Sequence, residues 1–187
     1  MRTTLIVDAD NVLFRFQRAA RLLAKVEGIE TQDCDVNPCV PGTWDAFAAA
    51  VDRNPGWVRN LQVLPLVEDV LKEIRGMGAD VICATRVLKG SLRWHSERAA
   101  ALEDLGFTHE DMYFCADKSR IPGHVFVDDD PVHIRKWQLA HLHGIAVLWD
   151  YPSTRQEPIH HNSIRTSDWN HVITAVRSYL AYHEGAR

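Results

Sequence analysis

Two apolar runs of this chain end abruptly in carboxylates, and nothing else in the sequence constrains its fold as strongly. Leu5-Ile6-Val7 runs into Asp8-Ala9-Asp10, and Val125-Phe126-Val127 runs into Asp128-Asp129-Asp130. Each run makes a strand that delivers negative charge to one edge of a sheet. If the two strand ends meet, like charges crowd together, which is unfavourable unless something positive neutralises them. A hard divalent cation that prefers oxygen ligands meets that need, and magnesium is the expected one.

Five strand-like runs are expected, at residues 4–7, 79–84, 112–115, 124–127 and 145–149, and helical patterns separate most of them. That alternation predicts an α/β fold, a Rossmann-like parallel sheet with helices on both faces. One helix is expected to begin at Pro65, with Leu66, Val70, Ile74 and Met77 on one face and Gly78 as its stop. Asp130 and Pro131 have the form of a cap and first helical position, followed by Ile134, Trp137 and His141 on one face. A last helix from about Ser167 carries an apolar stripe of Trp169, Val172, Ile173, Val176 and Leu180.

Residues 14–62 interrupt this rhythm. They contain a helical pattern over 17–26, a polar loop with Pro38 and Pro41, and a second helix over 44–51. The expected organisation is a catalytic α/β core of residues 1–13 and 63–187, with 14–62 as a small helical cap insertion. An insertion there overhangs the C-terminal strand edge, where open α/β sheets bind ligands. Its aromatic residues Phe14, Phe16, Trp44, Phe47 and Trp57 have helical spacing that favours packing; Phe14 and Trp44 are the candidates for contact with substrate.

With 187 residues the chain can bury a sizeable core, so stability does not require disulfides. Cys34, Cys39, Cys83 and Cys115 include no C-x-x-C pair, and reduced thiols in a cytoplasmic protein are expected. The N-terminus leads straight into a strand and no apolar stretch approaches the roughly 20 residues that span a bilayer, so neither secretion nor a membrane partner is expected. A net charge of -4 argues against an extended nucleic-acid surface.

Four elements carry chemistry. In Asp8-Ala9-Asp10 an extended chain would put both side chains on one side, so that Asp8 can attack a phosphorus while Asp10 handles the proton. Thr85, ending a strand, can hydrogen-bond a phosphate oxygen. Lys118 can neutralise the nucleophile and the charge developing on phosphorus. Asp128 and Asp129 complete an oxygen-lined cation site. Taken singly, each has an ordinary reading as an acidic turn, a helix cap or a solvated lysine.

Taken in order, these elements resemble the four motifs of the haloacid dehalogenase superfamily of phosphohydrolases. Within it the chain is most similar to the 5'(3')-deoxyribonucleotidases, through Leu61-Gln62-Val63-Leu64-Pro65-Leu66, Ile82-Cys83-Ala84-Thr85, Asp117-Lys118, Val127-Asp128-Asp129-Asp130-Pro131 and Ser167-Asp168-Trp169-Asn170. The resemblance implies Asp8 as nucleophile, Asp10 as general acid/base and a metal ligand through its backbone carbonyl, and Thr85 and Lys118 as phosphate holders. It implies Mg2+ on Asp8, Asp10 and the Asp128/Asp129 pair. Two positions depart from the family. Asn11 stands where glycine is common, though asparagine tolerates a left-handed backbone. Arg86 replaces a small residue, and it is a candidate contact to phosphate or a second anionic group.

Zinc is not expected at His160-His161 or at His141 with His143, because neither pair has the usual ligand spacing. G-x-S-x-G and G-x-x-x-x-G-K-[ST] are both missing, so a serine hydrolase and a P-loop NTPase are unsupported. The expected function is a Mg2+-dependent phosphomonoesterase acting on nucleoside monophosphates, deoxyribonucleotides foremost, through an aspartyl-phosphate. Competing readings are a 3'-phosphatase of nucleic-acid ends and a non-catalytic nucleotide-binding protein on the same fold. The implied partner is a small-molecule phosphate ester, with a homodimer as a compatible assembly.

Overall fold

The computed structural model describes residues 2–31, 43–151, 154–156, 158–159 and 163–185. Six strands pair in parallel throughout: β1 (Thr4–Val7), β2 (Asp80–Thr85), β3 (Met112–Phe114), β4 (Val125–Asp128), β5 (Ile145–Trp149) and β6 (Ser163–Thr166). Their order is β3-β2-β1-β4-β5-β6. The chain therefore builds outward from β1 to β3, then returns to lay β4 on the other side of β1. This reversal opens the crevice in which open α/β sheets place ligands, and Asp8 and Asp128 stand at the C-terminal ends of the two strands that flank it.

Strand side chains alternate between two apolar layers, as the two-residue period requires. Leu5, Val7, Val125, Val127, Val147 and Trp149 belong to the larger cluster, with the buried residues of α3 (Val67–Gly76) and α6 (Trp169–Gly185). Ile6, Phe126, Ala146 and Leu148 point into the smaller one, which Ile134 and Trp137 of α5 (Pro131–Ala140) cover. Both faces of the central strands are thus dry, which accounts for the uninterrupted apolar runs of β1, β4 and β5.

The segment after β1 adds α1 (Phe16–Val26) and α2 (Thr43–Arg53). Phe16, Phe47 and Trp57 meet edge to face with centroids 5.6 to 6.3 Å apart, and Trp94 of α4 (Trp94–Asp104) joins them. These side chains share one continuous buried cluster with β1. Two carboxylates fasten the segment to the stretch between β2 and β3. Asp52 of α2 accepts hydrogen bonds from the Ser91 hydroxyl and from the Leu92 and Arg93 amides, while Glu97 of α4 accepts from the Gly56 and Val58 amides.

Several local expectations are corrected. Pro65 does not start α3: Leu66 takes a left-handed conformation (φ 68°), and the helix begins one residue later. A sixth strand, β6, is present; its run Ser163-Ile164-Arg165-Thr166 carries a single apolar residue because it pairs only with β5 at the sheet edge. His141 follows α5 as its C-cap, stacks on Trp137 at 4.5 Å, and places Nε2 2.9 Å from the Ser119 carbonyl. His160 and His161, Cys34 and Cys39, and the loop prolines Pro38 and Pro41 lie outside the described residues. Cys83 and Cys115 are free thiols. Among the described residues, no helix is long and apolar enough to cross a membrane.

Trp137 fixes the approach of α5 to the sheet. Its indole donates to the Ile121 carbonyl at 3.1 Å, and a Cβ at Gly144 would lie 2.4 Å from the ring. Gly144→Ala is therefore expected to destabilise the protein by about 1–3 kcal/mol, the usual cost of overpacking a filled core, as read from denaturant unfolding; an unchanged midpoint would contradict this packing.

Candidate active site

β1 ends at Val7, and the backbone then leaves the sheet in a tight turn. The amides of Leu13 and Phe14 both return to the Ala9 carbonyl, and Asn11 adopts a left-handed conformation (φ 59°). Asn11 ties the turn down on two sides: its Nδ2 donates to Asp129 at 2.7 Å, and its Oδ1 accepts from the Gln17 amide at 3.0 Å at the start of α1. The asparagine so placed binds the first acidic segment to the second, which a glycine could not do.

Asp8, Lys118, Asp128 and Asp129 come together at the crevice. The Lys118 ammonium is buried, 2.6 Å from Asp8 Oδ1 and 2.7 Å from Asp128 Oδ2. It is carried by a short 3-10 turn, Lys118–Arg120, which Asp117 caps by accepting from the Ser119 amide and hydroxyl. Asp128 also accepts from the Asp130 amide at 2.8 Å, and its Oδ2 lies 3.2 Å from His133 Nδ1. Asp130 caps α5 through the Val132 amide, as its place before Pro131 implies.

The electrostatics show a surplus of negative charge. Burial pushes the Asp8 carboxyl up to about 7; Lys118 works against this rise, and the charges of Asp128 and Asp10 add to it. Asp129 is pushed well above the usual carboxylate range by burial and by Asp8 and Asp128. Burial also acts on Asp128, but Lys118 and His133 overcome it and hold that carboxyl at about 2. The Lys118 ammonium resists its own burial because Asp128 and Asp8 hold its proton. Asp8, Asp128 and Asp129 each offer an oxygen within 4.8 Å of the others, the one such group among the described residues. One ammonium does not balance three carboxylates, and an oxygen-donor set of this kind suits a hard cation.

Thr85 ends β2, two residues past Cys83, the partner of Val7. Its hydroxyl is buried without a hydrogen-bond partner among the described residues, an unmet need that a phosphate oxygen can fill. Arg86 is exposed, and its carbonyl accepts from the Trp94 indole at 3.1 Å. Trp44 keeps 37% of its surface exposed while resting on Phe47.

The Asp10 carboxylate turns to an ion pair with Arg98 and lies outside the group of three side chains. One expectation fails here. Phe14 is 1% exposed, and its ring lies beneath the Arg98 guanidinium at 5.0 Å, so it is a core residue with no open face for a ligand. Sequence reasoning also missed Arg98 and His133. Arg98 was detectable: Trp94, Ala101, Leu102 and Leu105 surround it at helical spacing, so an arginine occupies the apolar stripe. His133, three residues after a helix cap, carried no comparable signal.

No protein-family model matches the sequence, and no curated protein is similar enough to it to count as a match. Solved structures are similar in fold. A haloacid dehalogenase-like family hydrolase from Xanthomonas campestris aligns over 100% of this chain and 95% of its own, with a TM-score of 0.62 at 12% identity. A haloacid dehalogenase-like family protein, SP0104 of Streptococcus pneumoniae, aligns over 92% of this chain and 97% of its own, with a TM-score of 0.61 at 11% identity. YfnB of Bacillus subtilis, assigned to the same hydrolases and solved with magnesium bound, covers 94% of this chain and 98% of its own, with a TM-score of 0.53 at 15% identity. With its six-stranded parallel sheet in this order and its carboxylates at the switch between β1 and β4, the chain has the fold of haloacid dehalogenase-like hydrolases.

Proposed function

We propose that this protein is a Mg2+-dependent phosphomonoesterase that hydrolyses nucleoside monophosphates, deoxyribonucleotides foremost, through an aspartyl-phosphate on Asp8. The observation that carries the reading is the buried Lys118 ammonium between Asp8 and Asp128, at the same strand ends where a third carboxylate gathers. A structural ion pair needs one partner; this one gathers more negative charge than it neutralises. The nucleotide class rests on the resemblance of the motif-bearing stretches.

In the first half-reaction an Asp8 oxygen attacks phosphorus as the bond to the leaving oxygen breaks. The electron pair stays on that oxygen, which takes a proton from Asp10. Asp10, now a carboxylate, then removes a proton from water, and the water oxygen attacks the acyl phosphate. The bond from phosphorus to Asp8 breaks, freeing phosphate and restoring the carboxylate. Lys118 faces the nucleophile and the phosphate oxygens throughout, and the Thr85 hydroxyl holds one of them. Magnesium bound by Asp8, Asp128 and Asp129, and by the Asp10 backbone carbonyl, would supply the positive charge that the substrate dianion needs. Residues 14–62 would act as the cap over this edge, with Trp44 and Arg86 facing the nucleoside.

Asp8→Asn is expected to abolish phosphate release while the protein stays folded, and Asp10→Asn to lower the rate by about 10²- to 10⁴-fold. A phosphate-release screen over ribo- and deoxyribonucleoside 5'- and 3'-monophosphates, sugar phosphates and a 3'-phosphorylated oligonucleotide checks both. Release by Asp8→Asn at the unmodified rate would overturn the nucleophile; preference for the oligonucleotide would replace the substrate class; tight binding without release would leave a non-catalytic protein.

Metal binding should also depend on pH. The Asp8 carboxyl is raised from an ordinary 3.8 to about 7, so the stability that it contributes is complete at low pH and is lost as pH rises through about 7. A cation at Asp8 and Asp129 must displace protons. Mg2+ affinity is therefore expected to strengthen by at least about tenfold per pH unit between about pH 5 and 7, as measured by calorimetric titration of the metal-free protein. Affinity independent of pH between 5 and 7 would contradict the site.

A further inference from the structure

The Arg98 side chain is fully buried, yet among the described residues one carboxylate is its only hydrogen-bond partner: Nη2 donates to Asp10 Oδ1, while Nε and Nη1 make no hydrogen bond. The guanidinium lies over two rings, Phe14 at 5.0 Å and Trp94 at 5.3 Å. Stability does not account for this arrangement. Burying a charge costs several kcal/mol even when it is paired, and a methionine would fill the stripe between Trp94, Ala101 and Leu102 without that cost. What the arginine does supply is orientation. Asp10 follows the end of β1 in a turn, its side chain is 23% exposed, and no other hydrogen bond holds that side chain among the described residues. The two rings fix the plane of the guanidinium, and Trp94 is itself held through its indole by the carbonyl of Arg86, next to Thr85.

We propose that Arg98 is the positioning residue for Asp10: it holds the carboxylate by Oδ1 so that Oδ2 is the oxygen that gives and takes the proton. Phe14 and Trp94 are the walls that keep the guanidinium in place. The inference rests on the proposed phosphatase reading, in which Asp10 is the acid and base. It adds a rigid path from the phosphate-holding end of β2, through Trp94 and Arg98, to the group that protonates the leaving oxygen.

Steady-state kinetics of Arg98→Met, Asp10→Asn and the double variant, with the best substrate of the screen, test this. Arg98→Met is expected to lower kcat by about 10²-fold, the loss typical of a misplaced catalytic group, with KM nearly unchanged. The double variant should match Asp10→Asn within about threefold, because groups that act as a unit do not add. Normal kcat per folded molecule with a lowered melting temperature would show a packing role and overturn the inference. So would losses that multiply in the double variant. If Arg98→Met does not fold, Arg98→Lys, which keeps the charge but not the planar fork, runs the same cycle. A protein that releases phosphate from no ester in the screen would remove the phosphatase reading and this inference with it, whereas an active enzyme indifferent to Arg98 overturns the inference alone.

Discussion

The structure depends on one buried ammonium. Lys118 reaches Asp8 at the end of β1 and Asp128 at the end of β4, and so joins the two strands between which the chain reverses direction. Without it, buried carboxylates would face one another across the crevice with no counter-charge, a situation that costs several kcal/mol for each uncompensated ion. With it, Asp128 stays ionised at about 2 while Asp8 and Asp129 remain poised above their ordinary range. That division suits the proposed cation site, neutral enough to fold and rich enough in carboxylates to hold a metal. His133 and the Asp130 amide complete the hold on Asp128.

Around this centre the two aspartates of the first acidic segment have separate environments. Asp8 belongs to the charged cluster; Asp10 belongs to Arg98 and to an aromatic wall. In the proposed reaction these would be the nucleophile and the proton carrier, which need different surroundings, since one attacks phosphorus and the other gives and takes a proton within each turnover. The turn after Val7 provides the separation, and Asn11 fixes the turn by bonding to both Asp129 and the start of α1. The aromatic residues of the 14–62 segment extend the same wall. Asp52 and Glu97 fasten that segment to the stretch between β2 and β3, so its position is tied to that of Thr85.

The sequence carried much of this arrangement in legible form, for definite reasons. Strands buried on both faces read as uninterrupted apolar runs, so β1, β2, β4 and β5 stood out, and the parallel sheet followed from their alternation with helices. β6 did not, because an edge strand needs little apolar surface. The Asp130-Pro131 cap was legible because its chemistry is local. The start of α3 was not, because Leu66 holds a left-handed conformation that propensity disfavours. Asp8, Lys118, Asp128 and Asp129 converge as the motif order implied. The fate of the Asp10 carboxylate was hidden, since it depends on a partner 88 residues away. Phe14 looked like a surface for a ligand because aromatic spacing cannot separate a pocket wall from a core; only its burial does.

The central claim is that Asp8 accepts the phosphoryl group beside a cation held by its acidic neighbours. A crystal structure of the protein grown with Mg2+ and beryllofluoride, which mimics an acyl phosphate, tests it most directly. The account predicts the fluoride adduct on Asp8, the metal on Asp8 and the Asp128/Asp129 pair, and the Lys118 ammonium and Thr85 hydroxyl on the fluorides. An adduct on any other side chain, or a metal bound away from these carboxylates, would contradict it.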